Sequence, residues 1–438
     1  MRRGRLALVM FALSCATLLA SQLLVAADWP QWRGAKRDGK SAETGLLQSW
    51  PEGGPPLALK ATGLGGGFSS VAVVGKRIYT LGDLGDAQYA IALDRDSGKQ
   101  LWKTKIGPPW KDEFLGPRST PTVDGNNLYV LGTEGDLFCL EAATGKTVFS
   151  RNLVKDFGAK MMVINGTEWK FSESPLVDGD RVIVTPGASD AVLVALNKNT
   201  GEEIWRAKLP ELGEKGADGA AYSSVVISEG AGTKQYVQFV GRGVIGVDAA
   251  TGKFLWGYNR IANNVANIPT PLVDGDLVFV SSGYETGAAL LRLSKSDQGV
   301  SAKEVYFLEP GTMQNHHGGM VLYDGNVYAG TGHNKGFPLS VKLADGKVNW
   351  GPIRNKGKGS AAVAFADGKL YFRYQDGLVV LIDATPTGYK ELGSFLIPDV
   401  SKPSWPHPVI ADGKLYLREQ DALYVYDVSA AGATKKAS

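Results

Sequence analysis

The sequence runs to 438 residues, with 47 Lys plus Arg against 44 Asp plus Glu, 56 Gly, 21 Pro and two Cys. The surplus of positive charge is Arg2, Arg3 and Arg5, so the chain from Asp28 onward is electrically balanced; this excludes binders of nucleic acid or anionic membrane, which need a basic face to displace counterions. Two cysteines exclude a disulfide scaffold, 44 % hydrophobic residues supply a large core, and a Gly share well above the usual roughly 7 % marks a turn-rich chain.

Met1 to Arg5 form a positive start, Leu6 to Ala20 an apolar stretch, and Val25-Ala26-Ala27 the small residues of a cleavage site. The pattern predicts a signal peptide over 1–27, cut before Asp28, and a periplasmic or secreted product. An uncleaved anchor is the alternative, because about 20 apolar residues span a bilayer; Ser14, Thr17, Ser21 and Gln22 weaken it. Lipidation at Cys15 is disfavoured, since Leu13 falls one position late for a lipoprotein signal. No later stretch reaches membrane length, so no transmembrane segment is expected in the mature chain. Cys139, inside Leu137-Phe138-Cys139-Leu140, reads as a buried structural thiol.

Beyond Leu57 one unit recurs. A turn followed by a strand appears at Val74-Gly75-Lys76-Arg77-Ile78-Tyr79 and returns around Gly125, Gly179, Gly275, Gly325, Gly368 and Gly413, with a looser copy at Ser228-Glu229-Gly230. A second turn follows each, as in Asp96-Ser97-Gly98-Lys99-Gln100-Leu101-Trp102 or Ala250-Thr251-Gly252-Lys253 leading to Trp256; the fifth and seventh copies are degenerate. Asp-Gly supports the positive φ of tight hairpins, and the flanks are β-branched and aromatic. Two hairpins make four short strands per unit, and no segment shows sustained helical periodicity. Eight such units predict an all-β, eight-bladed β-propeller of four-stranded antiparallel blades over 28–428, followed by a flexible tail over 429–438. The eighth unit supplies only three strands, so Leu57 to Thr62 is expected to add the fourth and close the ring, hiding its edges. The aromatic that ends each unit reads as packing between blades.

The Ser/Thr-Gly-Lys-x-x-Trp element, repeated over about 57–428, resembles the tryptophan-docking repeat of the PQQ-like β-propeller family, and Asp28-Trp29-Pro30-Gln31-Trp32-Arg33-Gly34 is similar to the start of its secreted bacterial members. The resemblance implies the propeller fold. It does not imply one activity, because the family holds both quinoprotein dehydrogenases and a non-enzymatic outer-membrane assembly lipoprotein.

Gly241-Arg242-Gly243-Val244-Ile245-Gly246 matches a dinucleotide fingerprint in letters only, since phosphate binding needs a helix after the glycines; it reads as a hairpin. Gly63 to Gly67 reads as a flexible approach to the first blade. No Cys-x-x-Cys-His occurs, and no zinc-type cluster.

Counting back six residues from the first-turn glycines reaches Ser69, Ser119, Glu173, Pro269 and His407, with Ser223 in register. These open the strands that line the central channel. Arg118 and Tyr222 lie one residue earlier, His316 and His317 just before the corresponding point of the sixth unit, and Trp405 just before His407. A carboxylate, a guanidinium and imidazoles brought to one mouth form a candidate site, since repeat scaffolds carry function where the repeat breaks. The bland reading pairs Glu173 with Arg118 as a structural ion pair. Isolated histidines read first as hydrogen-bonded loop residues.

Two functions remain in view. One is a binding or scaffolding propeller, monomeric, holding an envelope protein or a small molecule at the channel mouth and the loops that lead into the blades. The other, implied by the resemblance, is a PQQ-dependent dehydrogenase of alcohols or sugars, with PQQ and calcium in the funnel, Glu173 as metal ligand or base, Arg118 against the quinone oxygens and Trp405 as the flat partner. The adjacent cysteines that cover the cofactor in the family's alcohol dehydrogenases are missing, which favours binding.

Overall fold

Left-handed residues set the first turn of every unit. Gly75, Gly125, Gly179 and Gly275 have φ of 55°, 56°, 61° and 55°. In the last three units the preceding aspartate is left-handed as well, with Asp324, Asp367 and Asp412 at φ 48°, 48° and 53°, the turn whose twist matches its flanking strands. The computed structural model describes residues 28–110, 114–163, 168–297 and 299–433. The expected signal peptide and the last five residues of the tail lie outside the described residues.

The described strands form eight four-stranded antiparallel sheets. Blade 1 runs through Ala72–Val74, Arg77–Leu84, Ala87–Asp94 and Gln100–Gly107, and each later blade repeats that order. First strands of neighbouring blades touch one another around the ring, which puts them at the axis. The eighth sheet joins Val409–Ala411, Lys414–Glu419 and Ala422–Asp427 to Leu57–Ala61, with Leu59 opposite Val425 and Ala61 opposite Leu423. The chain is therefore the all-β, eight-bladed propeller expected, closed by its N-terminal strand. No described helix is long and apolar enough to cross a membrane.

The second hairpin explains the tryptophan spacing. Its glycine is left-handed and faces the aromatic that ends the preceding blade. A Cβ on Gly145 would come 2.5 Å from Trp102, one on Gly201 2.5 Å from Phe149, and one on Gly252 2.5 Å from Trp205. Each Thr-Gly turn is thus a seat for its neighbour's ring, as expected of inter-blade packing. The degenerate fifth copy is a longer hairpin, Gly287–Ser296 with Gly299–Leu308. Cys139 is fully buried, and burial pushes its thiol up to about 11, as expected of a structural thiol.

Two expectations change. Gly63 to Gly67 is a packed crossing, not a loose approach: Gly66 and Asp83 exchange backbone hydrogen bonds of 3.1 and 2.9 Å, and Asp421 accepts from the amides of Gly63 and Gly65. The approach is so close that a Cβ on Gly82 would overlap the carbonyl of Leu64. The second change concerns residues 28–50, which the repeat arithmetic left outside the ring.

That segment lies across the axis. Trp29 exchanges backbone bonds with Val73 in blade 1, and the amide of Val123 in blade 2 donates to Pro30. Trp32 Nε1 donates to Thr270 Oγ1, beside blade 5, at 3.0 Å. Arg37 donates to the carbonyls of Ser174 and Pro175 at the start of blade 3, and Ser41 and Gly39 bond Phe365 in blade 7. Glu43 accepts from the amides of Asp412 and Gly413 in blade 8. In an eight-fold ring blades 1 and 5 face each other, so this plug crosses the channel at the end carrying the first turns.

Candidate functional site

Plugging one end leaves a central pocket open toward the other, with a volume of about 280 Å³. Its wall takes residues from all eight blades, and Trp32 and Arg33 of the plug join the lining. Strand parity decides which residues face it. Side chains alternate along an extended chain, and the row just before the six-back position forms the wall: Phe68, Arg118, Ser172, Tyr222, Ile268 and Pro406. At the six-back position Ser69, Ser119 and Glu173 are buried behind that wall, whereas Pro269 and His407 break the alternation and line the pocket as well.

Of the candidates, Arg118, Tyr222, His316, His317, Trp405 and His407 all line the pocket, and Glu173 does not. Glu173 accepts hydrogen bonds from the Thr185 amide and hydroxyl and from Gln238 Nε2. The guanidinium whose charge acts on it is that of Arg37, from the plug, and burial still raises its carboxyl to about 7. The proposed ion pair with Arg118 is thus replaced: a plug residue with no place in the repeat register supplies the countercharge. Arg118 instead donates to the carbonyls of Phe114 and Gly116 and lies over the Phe68 ring at 5.7 Å.

Aromatic rings dominate the rest. Trp405 packs against Phe68, Phe114 and His317 with ring centroids 4.6, 4.8 and 4.9 Å away. Trp32 lies 4.5 Å from the His407 ring. Tyr284, His316 and His333 form a second cluster: His316 Nδ1 is 2.8 Å from Ser360 Oγ and Nε2 is 2.9 Å from Tyr284 OH, while His333 Nδ1 accepts from the Tyr284 amide at 3.3 Å. Tyr284 and Glu285 hold φ of 54° and 56°, left-handed values unusual for such side chains, and so bring the tyrosine over the imidazoles.

The electrostatics follow from burial. Desolvation, aided by neighbouring imidazoles, lowers His316 far below the usual histidine range and His317 to about 3. Burial and then the charge of Arg33 push His407 well down. All three imidazoles are neutral at physiological pH. Arg33 is lowered by burial to about 10 and keeps its charge; its head donates to the carbonyls of Asp38 and Met320 and stands 3.5 Å from His407 Nδ1. Gly39 and Gly319 leave it room, since a Cβ at either would collide with the guanidinium. Sequence reasoning missed Trp32 and Arg33 as wall residues. The available signal was Gly318-Gly319 beside the histidine pair, a close-approach mark with no partner in view.

Calcium takes six to eight oxygen ligands, carboxylates prominent among them. The described residues lining the pocket include no carboxylate, and no group of three or more His, Cys, Asp or Glu among the described residues is placed to hold a metal. Glu173, the one acid proposed for calcium or for proton removal, has its oxygens committed to Thr185 and Gln238. Among the described residues the donor set does not fit a calcium-bound quinone.

Comparison with known proteins places this geometry in a family. A stretch of 116 residues is 33 % identical to a quinoprotein ethanol dehydrogenase of Pseudomonas aeruginosa, covering 25 % of this chain and 17 % of that protein; the chain thus spans under a fifth of that relative's length. Over 276 residues it is 27 % identical to the outer membrane protein assembly factor BamB of Burkholderia pseudomallei, covering 54 % of this chain and 68 % of that one. The crystal structure of quinohemoprotein alcohol dehydrogenase from Comamonas testosteroni superposes with a TM-score of 0.60 at 15 % identity, over 92 % of this chain and 81 % of that one, a likeness of fold alone. The family model described as outer membrane protein assembly factor BamB matches residues 86–352, more than half the chain, and the protein belongs to that PQQ-like β-propeller family.

Proposed function

We propose that this protein is a binding propeller of the cell envelope, exported by its leader, which receives a ligand or a segment of an envelope protein at its central pocket and performs no quinone chemistry. The observation that carries the reading is Glu173. The acid proposed as metal ligand or base is bonded into the wall by Thr185 and Gln238, and the described lining is built chiefly from aromatic rings, neutral imidazoles and arginines. General base catalysis needs a group within hydrogen-bond reach of the substrate proton, and the described wall supplies no acid for that role. The kinship with an outer membrane protein assembly factor supports a partner in the envelope. The deciding experiment titrates purified protein with PQQ and calcium and follows reduction of an artificial dye with a panel of alcohols and sugars. Absence of turnover agrees with the reading; turnover that disappears in Glu173→Gln overturns it.

A further inference from the structure

The mouth of the central pocket is charged unevenly. On the side of blades 6 to 8 hydrogen bonds join several loops into one lip. The Ser360 amide donates to Asn334 Oδ1 at 3.2 Å, the Gln375 amide to the Ser360 carbonyl at 3.0 Å, and the Ser404 amide to the Gln375 carbonyl at 2.8 Å. Asn334, Gln375 and Trp405 of this lip line the pocket. The same loops carry Lys335, Arg354, Lys356, Lys358 and Lys402, all exposed, and none of these is in an ion pair among the described residues. Two acids lie on the same loops. Asp376 accepts from the amides of Lys358 and Leu378, and Asp399 is paired with Lys60 at 3.1 Å. The lip is left with a surplus of positive charge. Across the mouth the pattern differs: Lys170 and Arg242 are paired with Glu168 and Asp218, each at 2.8 Å.

Resting on the binding reading above, we propose that this mouth docks an acidic segment of an envelope protein, one aromatic side chain of it entering the pocket against Trp405 and Phe68 and its flanking carboxylates lying along the cationic lip. Like charges on neighbouring loops repel one another in the free protein, and an anionic partner relieves that repulsion and is steered to the mouth. The cations are spread over separate loops, so a small anion meets only one or two of them. An extended peptide sets successive residues about 3.3 Å apart and reaches several. The pocket selects the anchor. Its volume of about 280 Å³ falls just below the roughly 300–1,000 Å³ of small-molecule sites, which is room for the ring of one side chain, and its aromatic wall offers the offset and edge contacts that rings favour. A ring in an apolar pocket, bordered by a polar rim, is the arrangement that holds protein partners together. Because the plug closes the opposite end, the segment approaches from the side of the loops bearing Trp169 and Trp405.

The test is fluorescence anisotropy on the full mature chain with labelled peptides of equal length: tryptophan flanked by glutamates, alanine flanked by glutamates, tryptophan flanked by glutamines, and tryptophan flanked by lysines. The first is expected to bind saturably at one site, about tenfold tighter than the alanine and glutamine peptides, and to weaken as salt rises because the lip charges are exposed. Lys356→Glu with Lys358→Glu, at two exposed positions, should abolish the preference for glutamates over glutamines and leave the circular dichroism unchanged. Trp405→Ala should remove the preference for tryptophan over alanine, and the alanine peptide tests the same contact without touching the fold. Equal binding of the glutamate and glutamine peptides, tighter binding of the lysine peptide, or no binding of the acidic peptide by the folded protein overturns the inference. Displacement of the bound peptide by phosphatidylglycerol vesicles also overturns it, by making the lip a membrane contact. Dye reduction with PQQ and calcium is a separate outcome that overturns the binding reading instead.

Discussion

The indole N–H of Trp32 donates to Thr270 Oγ1 at 3.0 Å across 238 positions of sequence, and with that bond the first residues after the expected leader become part of the ring's interior. Trp32→Phe keeps a ring against His407 and loses the hydrogen bond, an expected cost of about 1 kcal/mol. Trp32→Ala also opens space at the pocket floor and should cost about 3 kcal/mol, the low end for tryptophan truncation because the ring is only partly buried. Urea unfolding of both variants checks the order; equal midpoints would show that the plug contributes nothing to the fold.

Arg373 and Glu419 form a second long-range tie. Their side chains are fully and almost fully buried, with Nη2 2.8 Å from Oε2, and Arg373 also reaches Ser404 and the carbonyl of Pro406. The pair fastens blade 7 to blade 8. Removing one partner strands a buried charge, so Arg373→Met should cost about 3–5 kcal/mol. Arg373→Met with Glu419→Leu removes both charges and should recover most of the loss in a double-mutant cycle.

The seats for the blade-ending aromatics predict a contrast between two glycines. Gly252 has φ +74° and its Cβ would meet the Trp205 ring at 2.5 Å, whereas Gly275 has φ +55° with nothing within 4 Å. Gly275→Ala should cost only the left-handed strain, about 1–2 kcal/mol. Gly252→Ala should cost at least about 1–3 kcal/mol more, because Trp205 must also move. Thermal melts of the two variants side by side measure the difference, and a smaller loss for Gly252→Ala would refute the seat.

Stability should fall in acid from an unusually high pH. His316, His317, His333 and His407 all have folded-state values below the ordinary 6.5, chiefly through burial. The unfolded chain therefore takes up protons first as pH drops through 6.5, and each histidine removes up to about 1.4 kcal/mol per pH unit. Glu173 works the other way: raised from 4.5 to about 7, it loses stability as pH rises between those values. Below pH 6.5 four histidines outweigh one glutamate, so the fold weakens toward acid. His316→Gln should flatten the acid limb, and Glu173→Gln should flatten the slope just below pH 7. Urea midpoints from pH 5 to 8 read both.

The ring was legible because its signals are local. Asp-Gly and Thr-Gly-Lys-x-x-Trp each report a turn or a seat within one unit, and the missing fourth strand of the eighth unit pointed to Leu57–Ala61. The pocket was legible in part. Register arithmetic reached its rim, but one step of strand parity separates Arg118 and Tyr222, which face the cavity, from Glu173, which faces the wall. The plug was not legible. Residues 28–50 show no periodicity, and Trp32, Arg33 and Arg37 find partners from 137 to 374 positions away, beyond any pattern that spacing can display.

The stitching of Leu57–Ala61 to Ala422–Asp427 also sets a timetable. A chain made from its N-terminus delivers one of these segments among the first and the other among the last, so nearly the whole polypeptide must emerge before the final sheet can zip. Until then Leu57–Ala61 is an unpaired strand, a template for wrong partners. A molecule cut short before residue 422 would leave the ribosome with most of its sheets assembled and no clasp to hold the circle shut.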